Sequence, residues 1–143
     1  MNEPEAFDQA DIDWAFPVVD PGAKPLGGRI LVQLRRTKKK TTSAGIILIE
    51  ETKETEKWNN MVAKVIEIGP LAFKNRDTMQ PWPEGSWCVA GDYLRVPKWG
   101  GDRWEVSVPN EDVMEDKALF MVLNDHEVIA KVTGNPLAMK AFL

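Results

Sequence analysis

Nowhere does this chain offer the sustained apolar spacing that a long amphipathic helix needs; its apolar residues fall in short β-branched or aromatic runs cut apart by turn residues. Ile30, Val32 and Leu34 alternate with Arg29, Leu31, Gln33 and Arg35, as in a half-buried strand that begins after Leu26. A second strand is predicted over 61–68, closed by Gly69 and Pro70. Further strands are predicted over 86–89, 93–96, 104–108, 118–123 and 127–132, separated by Gly91, by Gly100 and Gly101, by Pro109 and Asn110, and by Asn124 and Asp125. Short strands at this spacing predict an all-β domain, a small irregular barrel in which few edges stay exposed.

A chain of 143 residues with 43% hydrophobic content can bury such a core without staples. The single cysteine, Cys88, excludes an internal disulfide, and no apolar run reaches the ~20 residues that cross a bilayer. The N-terminus is acidic and lacks the basic-then-apolar order of a signal peptide, so a reducing, cytoplasmic setting is expected. A net charge of -4 gives no global attraction to nucleic acid or membranes. Residues 1–23 hold Glu3, Glu5, Asp8, Asp11, Asp13 and Asp20 with Pro4, Pro17 and Pro21, a composition that predicts a flexible, extended acidic extension. Ile12, Trp14, Phe16, Val18 and Val19 would still suit docking on a surface. Residues 133–143, with Gly134 and Pro136, form a second extension.

Between the first two strands lie about 25 residues, more than the ~12–15 beyond which a structureless loop calls for a special role. Inside that stretch Ile46, Ile47, Leu48 and Ile49 stand between a basic run (Arg35, Arg36, Lys38, Lys39, Lys40) and an acidic one (Glu50, Glu51, Glu54, Glu56). An apolar cluster so placed is either a short strand completing the barrel or a hook for another protein. The tetrad lacks alternation and charge crowds both flanks, which favours the hook.

The basic cluster at 35–40 admits a rival, a nucleic-acid-binding barrel. Binders of single strands interleave stacking aromatics with cations, whereas residues 29–57 contain no aromatic and an acidic run follows. A catalytic reading must use Cys88 and the single His126, yet Cys88 sits in the apolar run Trp87, Cys88, Val89, where a cysteine behaves as a small hydrophobe. No Gly-rich phosphate loop, His/Cys metal spacing or paired catalytic carboxylates can be picked out, so neither an enzymatic activity nor a metal or cofactor site is predicted.

Several segments, in order, carry a resemblance. Lys24, Pro25, Leu26, Gly27, Gly28, Arg29, Ile30, Leu31 and Val32 resemble the opening strand of the GroES-type co-chaperonins (the chaperonin-10 family). Thr42, Ser43, Ala44, Gly45, Ile46, Ile47 and Leu48 resemble that family's mobile loop, where Ser-Ala-Gly-Gly precedes an aliphatic tripeptide; a single glycine here leaves two registers open for the tripeptide. Residues 62–69 resemble the strand after the loop, Val89, Ala90, Gly91, Asp92, Tyr93 and Leu94 resemble a Val-x-Gly-Asp-aliphatic segment, and 119–132 resemble the final strand pair. Pro83, Glu84, Gly85, Cys88, Gly91 and Asp92 are similar to co-chaperonins that bacteriophages encode in place of the host's own, which implies a divergent, phage-encoded member acting in host cytoplasm.

The resemblance implies a GroES-like barrel over 24–132 with a mobile loop at about 35–60 and a roof hairpin at about 70–85. It implies a heptameric lid over an ATP-bound GroEL-type chaperonin, enclosing an unfolded client such as a phage capsid protein, with ATP bound by the partner. It assigns Gly45, Ile46, Ile47, Leu48 and Ile49 to the hook, and Pro25, Leu26, Ile129, Ala130 and Val132 to subunit contacts. Trp82 and Trp99 are expected to face the chamber.

Overall fold

The computed structural model describes residues 9–36, 40–41, 47–48, 61–97, 100–109 and 117–138. Their elements run α1 (Gln9–Ala15), β1 (Arg29–Leu34), β2 (Lys40–Thr41), β3 (Ile47–Leu48), β4 (Val62–Ile68), β5 (Tyr93–Arg95), β6 (Asp102–Val106), β7 (Ala118–Asn124), a 3-10 turn at Asp125–Glu127, and β8 (Ala130–Lys131). A six-stranded antiparallel sheet takes the order β6-β7-β1-β4-β5-β8, while β2 and β3 pair only with each other. This mostly-β architecture is that of a small irregular GroES-like barrel.

Alternation along the strands builds the main core. Ile30, Val32 and Leu34 of β1 meet Ala63 and Val65 of β4, Leu94 of β5, and Leu119, Met121 and Leu123 of β7. The pairing of β1 with β4 skips Ile66, a bulge that returns Ile68 to this core and leaves Ile66 on the other face. Beneath the sheet, Phe73, Trp82 and Trp87 stack around Cys88, with Phe73 and Trp82 edge to face at 5.4 Å and the two indoles at 5.1 Å.

The reading of β1 as half-buried is corrected, because Leu31 and Gln33 are buried as well. A second small core of Leu31, Ala118 and Phe120 occupies the opposite face, with Trp104 stacked on Phe120. Its cover is the N-terminal segment. Val19 packs on the cluster, Gln33 donates from Nε2 to the Pro17 carbonyl at 2.8 Å, and Trp104 donates from Nε1 to the Pro21 carbonyl at 2.8 Å.

The expected extended, flexible arm is therefore overturned where the segment is described. Ile12, Ala15 and Phe16 fall at helical spacing on one face, and all three are buried, against Val62. Gln9 donates to Asp13 one turn on, at 2.9 Å. Asp11 and Asp13 sit on the exposed face of the helix, and Pro17, Asp20 and Pro21 lie beyond its end, where Pro17 stops it.

Two strand expectations also fail. Residues 86–89 form no strand, because left-handed turns at Gly85 (φ 76°) and Gly91 (φ 99°) close both ends and the Asp92 carboxylate takes the Val89 N–H at 3.0 Å. Of 127–132 only Ala130–Lys131 is extended in the sheet, since Glu127 folds back to accept the Asn124 N–H at 2.9 Å and starts a turn.

Candidate functional site

Of the hook tetrad, Ile47 and Leu48 form β3, opposite Thr41 and Lys40 of β2, in a sheet apart from that of the barrel. Gly45, Ile46 and Ile49 lie outside the described residues. The hairpin's stem is anchored in the barrel, where Arg35 donates its N–H to the Val62 carbonyl at 3.0 Å and thereby continues the β1–β4 ladder.

Two of the five basic residues at 35–40 are turned to internal use. Arg36 is buried, with its guanidinium 4.2 Å from the Trp14 ring centroid and its Nε donating to the Trp14 carbonyl at 2.8 Å. Arg35 donates from Nη1 to the Pro136 carbonyl at 2.7 Å. Neither arginine presents its charge as an open phosphate-binding surface, which removes much of the basis for a nucleic-acid site at 35–40.

The sheet order leaves β8 at one edge. Its inner side is paired with β5, extended by the N–H of Ile129 to Arg95 and of Val132 to Tyr93. Ile129, Ala130 and Leu26 are exposed, whereas Pro25 and Val132 are buried within this chain. The expected contact residues thus divide into outward-facing Leu26, Ile129 and Ala130 and inward-facing Pro25 and Val132.

Residues 70–85 fold back on themselves. Lys74 bridges Pro81, Trp82 donates its N–H to Phe73, and Asn75 closes the tip by accepting from Asp77 and Thr78 at 2.8 and 3.1 Å. Trp82 is half-buried, packed on Phe73 and Trp87, and Trp99 lies outside the described residues.

A carboxylate that the sequence did not mark as important anchors this hairpin to the barrel. Asp125 is buried; its Oδ2 accepts the Phe73 N–H at 2.8 Å and its own N–H donates to Gly28 at 2.9 Å. Phe73 adopts φ 60°, a conformation costly for a bulky residue and held here by that bond and the ring stack. Gly69 permits the same junction, since a Cβ there would lie 2.5 Å from the Gly27 carbonyl oxygen.

Of the two residues a nucleophilic mechanism would need, the cysteine is held in its unreactive neutral form. Burial, reinforced by the Asp92 charge, pushes the Cys88 thiol up to about 11, opposite to an activated thiolate. His126 is exposed, with Nδ1 3.5 Å from Asp125. Among the described residues no cluster of His, Cys, Asp or Glu is arranged to hold a metal, and no helix is long and apolar enough to cross a membrane.

Comparison with known proteins agrees with this arrangement. A co-chaperonin GroES from Syntrophomonas wolfei subsp. wolfei (strain DSM 2245B / Goettingen) is 23% identical over 109 residues, covering 76% of this chain and 96% of the relative. The family model described as "Chaperonin 10 Kd subunit" matches residues 22–132, from the exposed segment before β1 through β8, with the hairpin β2–β3 inside it. By that match, across most of its length, the chain belongs to the chaperonin 10 Kd subunit family.

Proposed function

We propose that this co-chaperonin assembles as a heptameric ring that caps an ATP-bound GroEL-type chaperonin in the cytoplasm and encloses an unfolded client. The observation that carries this reading is the placement of Ile47 and Leu48 on a hairpin separate from the barrel sheet. Ile47 and Leu48 belong to no strand of the barrel sheet, and this separation supports a role in binding a partner.

Energetics suit a reversible lid. Burying Ile46, Ile47 and Leu48 yields roughly 5–9 kcal/mol at ~1.5–3 kcal/mol each. Ordering about five residues costs ~1–2 kcal/mol apiece, so one hook alone binds weakly. A ring multiplies weak hooks by effective concentration without new contacts. The chain itself needs no nucleotide; ATP belongs to the partner in this reading. Leu26, Ile129 and Ala130 supply the subunit contact along the β8 edge, and Trp82 and Trp99 face the chamber.

The test is co-sedimentation with a GroEL-type double ring, with and without ATP. Wild type is expected to bind only with nucleotide. Ile47→Asp is expected to keep its ring and lose binding, since a charge would be buried unpaired. Binding that survives Ile47→Asp overturns the hook. Affinity for oligonucleotides falling steeply with salt, in place of chaperonin binding, would establish the nucleic-acid alternative.

A further inference from the structure

Two stretches outside the family match, residues 9–21 and 133–138, converge on one place: the neck where the hook-bearing segment leaves β1 and rejoins β4. On the outgoing side, the Arg36 N–H donates to the Ala15 carbonyl at 3.0 Å, its Nε donates to the Trp14 carbonyl, and its guanidinium covers the Trp14 ring. On the returning side, Val62 is buried against Ile12, Ala15 and Phe16 of the N-terminal segment. Leu137 packs on the same cluster, in a turn where it donates its N–H to Asn135 Oδ1 at 2.9 Å, and Pro136 accepts from Arg35. Phe16 stacks on Tyr93 of β5 at 5.2 Å, tying the cluster to the sheet.

We propose that α1 and the 133–138 turn clamp this neck, and that Trp14, Arg36 and Leu137 are positioning residues that aim the hook at its partner. The proposal rests on the lid reading. Its physical basis is pre-organisation. With the clamp in place, Arg36 and the Arg35 side chain are held before docking; without it their ordering must be supplied at docking, once for every subunit of the ring.

The experiment uses the full-length protein. Hydrogen exchange at residues 33–36 and 61–64 and ATP-dependent affinity for a GroEL-type double ring are compared among wild type, Trp14→Ala, Arg36→Lys and Leu137→Ala. Trp87→Phe, which removes the hydrogen bond to Glu84 beside the roof hairpin, controls for lost stability. Neck exchange is expected to rise in all three clamp variants and affinity to fall about tenfold for each residue whose ordering is lost, with rings intact and Trp87→Phe unchanged in both readouts. Unchanged neck exchange overturns the clamp. Faster exchange with wild-type affinity overturns its role in aiming, as does an equal loss in Trp87→Phe. A wild type that binds no chaperonin ring sinks the lid reading and the aiming role with it, whereas normal wild-type binding with unchanged neck exchange sinks the clamp alone.

Discussion

Asp125 shows how one side chain can fix the junction of two parts of the molecule. It joins the β7 end to both Gly28 and the Phe73 amide, so Asp125→Ala leaves a buried N–H without a partner at a strained residue. That loss is expected to cost about 1–3 kcal/mol in urea denaturation, and Asp125→Asn, which keeps an acceptor, should cost less. Cys88 makes a pH prediction. Its thiol is raised from 9.0 to about 11 in the folded chain, so the unfolded chain releases the proton first as pH rises. Stability contributed by the neutral thiol is complete below pH 9 and is lost between about pH 9 and 11; Cys88→Ala should flatten that part of the stability profile. Folded protein should also react slowly with thiol reagents at pH 8. The role of Asp125 was not legible from sequence, because it depends on what surrounds the residue after folding, whereas the apolar run around Cys88 already pointed to a buried thiol.

At the scale of elements, strands with a strong pattern were legible and short ones were not. The period-two alternation of β1, β4 and β7 comes through into the core, with ends within a residue or so of expectation. Residues 86–89 and 127–129 are also apolar-rich, yet side-chain hydrogen bonds from Asp92 and Glu127 capture their backbone into turns. The helix α1 had a signal, Ile12, Ala15 and Phe16 at i, i+3 and i+4, hidden by the acids and prolines around it. Exposure of Ile129 at the outer edge of β8 leads to a prediction for assembly. If the proposed ring forms along β8, Ile129→Asp should yield monomers in light scattering while leaving the barrel's circular dichroism unchanged; a persistent ring would remove β8 from the proposed interface.

For the molecule as a whole, the N-terminal segment is a layer rather than an appendage. It buries the outer face of β1 and β7 through Pro17, Val19 and Pro21 and the start of β4 through Ile12 and Phe16. Deleting residues 1–21 should lower stability by several kcal/mol, since burial of Ile12 and Phe16 alone contributes ~1.5–3 kcal/mol each. Thermal unfolding and binding of an apolar dye to the uncovered Leu31, Phe120 and Trp104 face would check this. An unchanged melting temperature would show that the layer contributes nothing.

The mostly-β class, the main strands and the family were legible in the residue order, because alternation, turn residues and motif order are local and survive without a partner. Tertiary structure alone decided that Leu31 and Gln33 are buried, that Arg35 and Arg36 are spent on the two termini, and that Asp125 holds Phe73. Those facts are contacts between residues far apart in the chain, and no local pattern specifies which distant segment will cover a face or accept a hydrogen bond.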